Sequence, residues 1–179
     1  MDPDLGKVTL SDGSSAEADV IIVADVSTHA YAPASTASTW YSEGDRSEML
    51  EVFSDFSPTL VTLLRIATEV KMWDLQDLDP LPTWTQGKAL LIGDAAHAMT
   101  PLQGQGANMS MEDAGSLRLL LHPNISRENV PSVLKQIEAT RRPRATQVLL
   151  ETRALADNFS SDAIAANREY NFGLGQADR

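Results

Sequence analysis

Residues 88–114 read KALLIGDAAHAMTPLQGQGANMSMEDA. The segment begins with the apolar run Lys88–Ile92, which is typical of a strand covered on both faces. A Gly-Asp pair ends this run, and a glycine-containing loop then leads into a helix that the pattern predicts over 107–121. Pro123 ends the predicted helix. The order of strand, loop and helix predicts an α/β fold.

A strand end joined in this way to a helix start can bind a ligand. Glycine lets the backbone approach a ligand closely and adopt a positive φ. The first N–H groups of a helix lack intrahelical partners, so they can hold a phosphate, a carboxylate or an electron-rich carbonyl. The carboxylate of Asp94 can accept hydrogen bonds from a sugar or polyol hydroxyl. From spacing alone, the alternative is a structural crossover in which Asp94 caps backbone N–H groups.

The segment from Gly93 to Ala114 resembles the second FAD-contacting motif of the group A flavoprotein monooxygenases. These are the aromatic hydroxylases related to salicylate and p-hydroxybenzoate hydroxylase. The family pattern is Gly-Asp-Ala-Ala-His, then Pro, Gly-Gln-Gly, Asn and Glu-Asp-Ala, and all of these stand here in order. Segments 84–88 and 138–144 resemble the family's flanking sequence. The resemblance implies a reduced FAD-binding, Rossmann-like α/β domain with a small sheet and a helical C-terminal half.

The resemblance also implies roles for the residues of the motif. Asp94 would bind the ribityl hydroxyls of FAD, Pro101 would lie beside the isoalloxazine ring, and the helix start would direct N–H groups to the pyrimidine end of the flavin. Negative charge develops at that end when flavin is reduced, and a helix N-terminus stabilises it. NAD(P)H is a candidate second cofactor, and no metal site is expected. The predicted cofactor-binding residues are Gly93, Asp94, Pro101, Gly104, Gln105, Gly106, Ala107 and Asn108.

Three parts of the family pattern are missing or altered. The GxGxxG unit that holds the ADP half of FAD has no counterpart. The family's middle Ala-Asp-Gly motif is matched by Ala24-Asp25, but Val26 replaces the glycine and no Arg follows it. Residues 26–38 stand where the family inserts a large substrate-binding sheet. The resemblance therefore implies a truncated domain, for which dimerisation would be one way to enclose a substrate.

The composition narrows the function classes. The 179 residues carry a formal net charge of −11 and contain no Cys. The acidic excess lies in residues 1–80, which hold 15 Asp/Glu and 4 Lys/Arg, and it argues against binding to nucleic acids or anionic membranes. The chain has no apolar run long enough to span a bilayer and no secretory leader pattern. A cytoplasmic protein with a small-molecule aromatic or polyketide-type substrate is expected.

The patterns outside the motif predict the remaining elements. Strands are expected over Lys7–Leu10 and Ala18–Val23, which form a hairpin around a turn at residues 11–14. A helical period runs over Ser47–Thr68, interrupted near Pro58, with Ser47 as its N-cap. We expect one truncated domain over 1–179 in four parts, namely 1–39 (hairpin and connection), 40–85 (helical segment and loop), 86–122 (strand, Gly-Asp loop and helix) and 123–179 (C-terminal helices).

The C-terminal part is predicted to be helical on both sides of a proline. The helices are expected over Val130–Arg141 and Ala145–Phe159, with a break or kink at Pro143. The three arginines around this proline are expected to pair with the acidic first half of the chain.

Three functions are open from the sequence. The first is an FAD-dependent monooxygenase of the aromatic-hydroxylase type. The second is a cyclase, isomerase or dehydratase in the former flavin pocket, with Asp94 and His97 as catalytic candidates for acid–base chemistry. The third is a non-catalytic remnant that acts through oligomerisation or partner binding. For His97 the alternative to catalysis is a packing role.

Overall fold

The computed structural model describes residues 1–24, 41–73, 75, 77–157, 165 and 171. Two short 3-10 helices precede and follow the fourth α-helix, at Pro101–Gln103 and Leu117–Leu121. In chain order the other elements are β1 (Lys7–Thr9), β2 (Ser15–Glu17), β3 (Ile21–Val23), β4 (Tyr41–Glu43), α1 (Arg46–Val52), α2 (Pro58–Arg65), β5 (Lys71–Trp73), β6 (Thr85–Gln86), β7 (Ala89–Leu91), α3 (Asp94–His97), α4 (Gly106–Ser116) and α5 (Val130–Asp157).

The chain divides into two compact units. One contains Met1–Ser27 and Gln76–Arg179, and the other contains Thr28–Leu75. The single domain over 1–179 and its four parts remain a prediction. The altered middle motif at Asp25 and Val26 and the connection over 26–38 lie outside the described residues.

The smaller unit contains a two-stranded antiparallel sheet, β4 with β5, and the helices α1 and α2. The N-cap predicted at Ser47 is wrong. Asp45 caps α1 instead, because its carboxylate accepts hydrogen bonds from the amides of Ser47, at 2.6 Å, and Glu48, at 3.0 Å. Ser57 caps α2, and Pro58 occupies its first turn. The predicted interruption near Pro58 is confirmed, because the segment forms two helices that are divided where Ser57 precedes the proline.

The N-terminal hairpin is shorter than predicted. The turn at 11–14 is confirmed, and the Asp12 carboxylate accepts hydrogen bonds from the Ser14 amide at 2.8 Å and the Ser14 hydroxyl at 2.6 Å. The second strand is β2, not Ala18–Val23, since the short loop sets Thr9 opposite Ser15. The apolar run that follows therefore enters another sheet.

The main sheet has the order β3–β7–β6. Its β3 strand pairs in parallel with β7, with Ile21 opposite Ala89, and β6 is antiparallel to β7. The central position of β7 buries Ala89 and Leu90. The predicted strand at Lys88–Ile92 is confirmed within one residue at each end, and the α/β fold class is confirmed.

The long helix α5 crosses Pro143 without ending, so a break at this proline is wrong, and the alternative of a kink stays a prediction. Proline removes one backbone hydrogen bond, which side-chain packing on both sides can offset. Leu134 and Ile137 are buried before the proline, and Ala145 and Val148 are buried after it, at helical spacing. These residues anchor both halves of α5 to one apolar core.

The core of the larger unit lies between α5 and the motif segment. Its fully buried members include Leu90 of β7, Met109 of α4 and Leu134 of α5. Within the described ranges, no helix combines the length and the apolar character that crossing a bilayer requires. The described residues likewise hold no group of three or more His, Asp or Glu side chains that could bind a metal ion.

Candidate functional site

A sharp turn connects β7 to α3. Gly93 adopts φ 55° and ψ −140°, a backbone conformation that side chains rarely allow. A Cβ atom at this position would lie 3.2 Å from the Ser110 hydroxyl of α4 and 3.3 Å from the Ala24 carbonyl oxygen. The turn therefore requires glycine, and it packs closely against α4. Asp94 follows immediately, as the first residue of α3, with an exposed side chain.

The start of α4 is an open helix N-terminus. Gly104 adopts a left-handed φ of 63°, and a Cβ atom there would meet nothing within 4 Å. No side chain caps the helix, and the first intrahelical bond joins the Met109 amide to the Gln105 carbonyl at 2.9 Å. The amides of Gly106, Ala107 and Asn108 precede that bond in the first turn of α4, so they have no intrahelical partner and are available to a ligand. The predicted helix start is confirmed within one residue, and the predicted end at 121 consists of a 3-10 turn.

The predicted cofactor-binding residues all lie in the larger unit. Gly93 and Asp94 stand at the start of α3, and the others stand in the loop before α4 and in its first turn. Their exposure differs in a way that suits separate roles. The side chains predicted to meet ligand are open, whereas Gly93 and Gln105 are buried and support the backbone. Gln105 accepts a hydrogen bond from the Asn108 side-chain amide at 3.1 Å. The exposed members are Asp94, Pro101, Gly104 and Ala107, and the half-buried ones are Gly106 and Asn108.

His97, the other catalytic candidate, is a core residue. Its side chain is 2% exposed, its Nε2 atom lies 2.7 Å from Asp113 Oδ2, and its ring packs at 5.4 Å against that of buried Trp84. Because an ionised carboxylate only accepts hydrogen bonds, Nε2 is the donor. Nδ1 has no partner among the residues that the structure describes. This position favours the packing role of His97 over a catalytic one.

Side chains of α4 and α5 form an ion-pair network that the sequence did not predict. The Arg141 Nε atom donates to Asp113 Oδ1 at 2.9 Å, and its Nη1 atom donates to Glu112. Arg144 binds the same Glu112 carboxylate through two contacts, at 2.8 and 2.9 Å. The predicted pairing of these arginines with the acidic first half is wrong, since they pair with the motif itself, and Arg142 pairs with Glu138.

The network lowers the pKa of both motif carboxyl groups. The hydrogen bond from Arg144 is the largest cause for Glu112, and it lowers the pKa of that group below its ordinary value. Burial would raise the pKa of Asp113, but hydrogen bonds from His97, the Gly93 amide and Arg141 together lower it. Both groups are therefore ionised at neutral pH, with their charge balanced inside the protein.

These shifts predict acid sensitivity. A carboxyl group whose pKa is lower in the folded state stabilises the fold above its unfolded pKa of about 4. That stabilisation is lost as the pH falls through the folded value. Urea titrations between pH 7 and pH 3 measure the free energy of unfolding. We expect this free energy to decrease once the pH is lower than about 4. Glu112→Gln should make this decline shallower, and parallel pH profiles for the variant and the wild type would contradict the prediction.

The donor set of the site fits a flavin. An open helix N-terminus offers N–H groups and partial positive charge to an electron-rich ring edge. The exposed carboxylate of Asp94 offers acceptors for hydroxyl groups, and the open space at Gly104 lets a planar ring approach the backbone. These residues would hold the flavin and ribityl parts of FAD.

Comparisons with known proteins agree with this chemistry. The family model described as FAD binding domain matches residues 58–152. The chain is 39% identical over 106 residues to 6-hydroxynicotinate 3-monooxygenase from Pseudomonas fluorescens, a match that covers 59% of the chain and 27% of that protein. It is 40% identical over 110 residues to salicylate hydroxylase from Pseudomonas putida, covering 61% of the chain and 25% of that protein.

The solved structures show the same relationship. A salicylate hydroxylase in a substrate complex superposes with a TM-score of 0.63 at 31% identity, covering 80% of this chain and 39% of that one. The chain spans about a quarter of the length of the two Pseudomonas relatives. Because the family model matches more than half of the sequence, the resemblance is confirmed, and the chain belongs to the FAD-binding-domain family of FAD-dependent aromatic hydroxylases.

Proposed function

We propose that the chain forms the flavin-facing part of an FAD-dependent monooxygenase that acts on an aromatic or polyketide-type small molecule. The observations that carry the proposal are the uncapped N-terminus of α4 and the exposed Asp94, which follows a Gly93 turn that packs against Ser110 of the same helix. Both features lie within the residues that match the FAD binding domain.

When bound, FAD supplies the redox chemistry of a monooxygenase. Asp94 would bind the ribityl hydroxyls, and the first-turn amides of α4 would hold the electron-rich pyrimidine edge of the ring. The helix N-terminus stabilises negative charge at that edge because its partial positive charge is already in place. Pro101, which is exposed and has no N–H group, presents an apolar surface to the ring.

The substrate class and the electron donor are parts of the same proposal. The relatives are named for 6-hydroxynicotinate and salicylate, both aromatic compounds, which supports an aromatic substrate here. NAD(P)H is the proposed electron donor, and a homodimer is the proposed assembly for enclosing the substrate. The cytoplasm is the proposed location, since a chain without Cys suits a reducing compartment.

A flavin titration tests the proposal. The wild-type chain should quench FAD fluorescence on binding, and Asp94→Asn should weaken the affinity about tenfold, because a hydrogen bond to a charged group contributes about 1.5–3 kcal/mol. The matched control is Glu17→Gln on the exposed hairpin, which makes the same charge change and should leave the affinity unchanged. A wild-type chain that ignores millimolar FAD would refute the proposal.

A further inference from the structure

One buried carboxylate contacts the turn that precedes Asp94. Asp113 lies on α4, about two helical turns after the helix start, and its side chain is 1% exposed. Its Oδ2 atom accepts a hydrogen bond from the Gly93 amide at 3.0 Å and another from His97 Nε2 at 2.7 Å. The same side chain therefore contacts the residues at both ends of α3.

The other carboxylate oxygen fixes the orientation of the group. Asp113 Oδ1 accepts a hydrogen bond from Arg141 Nε at 2.9 Å. The Arg141 guanidinium is held in turn by Glu112 and by the Met109 carbonyl, to which Nη2 donates at 3.3 Å. With both oxygens engaged by different elements, the carboxylate cannot rotate without breaking a buried, charge-assisted hydrogen bond.

The geometry of the turn makes this contact important for the ligand. The Gly93 backbone conformation sets the direction of the chain between β7 and Asp94. Asp113 holds that backbone through a hydrogen bond from the Gly93 amide. Because Asp113 belongs to α4, it ties the turn to the helix whose N-terminus forms the other half of the site. The relative position of the two halves therefore depends on a side chain that is itself buried.

We propose that Asp113 is a positioning residue for flavin binding, which holds the Gly93 turn so that Asp94 and the α4 N-terminus meet the same ligand. The inference rests on the proposed function, because it assigns Asp113 to the same flavin site. Asp113 acts through Asp94 and does not touch the ligand. An asparagine has one acceptor oxygen and an NH2 group. It therefore cannot accept hydrogen bonds both from Arg141 on one side and from the Gly93 amide and His97 on the other.

A double-mutant cycle on FAD affinity tests this role. The dissociation constant is measured for the wild type, Asp113→Asn, Asp94→Asn and the double variant. Each single change should weaken FAD binding about tenfold, and the double variant should be about as weak as the weaker single. That result is a coupling of about tenfold, or about 1.4 kcal/mol. If Asp113 only stabilises the fold, the two losses multiply, and the inference is overturned.

The matched control is Glu112→Gln. Glu112 shares Arg141 with Asp113 but makes none of the described contacts to the Gly93 turn. Its effect on FAD affinity should multiply with that of Asp94→Asn. A coupling with Asp94 as large as that of Asp113 would assign the effect to the network as a whole and overturn the specific role of Asp113.

Two further measurements keep the inference testable if Asp113→Asn does not fold. Gly93→Ala disturbs the same turn without leaving a buried charge unpaired, and it should also weaken FAD binding non-additively with Asp94→Asn. In the chain without FAD, the Gly93 amide, which donates to Asp113, should exchange with solvent more slowly than the amide of Asp94. Additivity for Gly93→Ala, or unprotected exchange at Gly93, would overturn the inference, whereas failure of the wild type to bind FAD would refute the proposed function instead.

Discussion

Replacing Arg141 with Met should lower the free energy of unfolding by about 3–5 kcal/mol, the range for breaking a buried ion pair from one side. The Arg141 side chain is 7% exposed and contacts Asp113, Glu112 and the Met109 carbonyl. Its removal leaves the Asp113 carboxylate buried without its cation. Methionine keeps most of the apolar stem, so the measured loss reports the charge and its hydrogen bonds.

The neighbouring residue provides the control for this substitution. Arg142 is 39% exposed and forms an i,i+4 ion pair with Glu138. Arg142→Met should lower the free energy of unfolding by about 0.5 kcal/mol, as expected for such pairs. Urea unfolding of both variants, followed by circular dichroism, makes the comparison. Losses within about 1 kcal/mol of each other would show that burial of the network has little energetic weight.

Replacing Leu134 with Ala should lower the free energy of unfolding by about 2–5 kcal/mol. Leu134 is fully buried in α5 among the core residues that anchor the helix before Pro143. The substitution removes apolar contacts and leaves a cavity that the packed surroundings fill only in part. Thermal and urea unfolding of the variant and the wild type measure the loss.

A leucine on the same helix tests whether burial causes the loss. Leu150 is 45% exposed, so Leu150→Ala removes the same atoms from a position that is only about half covered. It should lower the free energy of unfolding by about 1 kcal/mol, because only about half of the side chain leaves water on folding. A large loss for Leu150→Ala would mean that α5 packs against another surface on that face.

Local patterns predicted the parts of the fold that depend on neighbouring residues. The Ser-Asp-Gly-Ser turn, the strand before Gly93 and the start of α4 follow from turn chemistry, a short apolar run and the glycine loop. Local patterns were misleading where two capping residues compete, as Asp45 and Ser47 do before α1. They were also misleading at Pro143, where contacts distant in sequence outweigh the loss of one backbone hydrogen bond.

The candidate site shows the same division. The residues that we predict to face the ligand stand within one continuous motif, so their chemistry can be recognised from their order. The residues that support them come from elements far apart along the chain, since Arg141 of α5 meets Asp113 of α4, and Asp113 in turn reaches Gly93. The sequence shows that these side chains are charged, but it does not predict which residues they form ion pairs and hydrogen bonds with.

The amino-acid sequence alone determined the fold class and the family, and it predicts the ligand-facing residues, because each is recorded in short-range order and spacing. The tertiary structure decided which charges are buried together, that α5 is continuous, and that the apolar run at Ile21–Val23 pairs with β7. These outcomes depend on desolvation and on packing between distant segments, whose energies arise only when the elements come together.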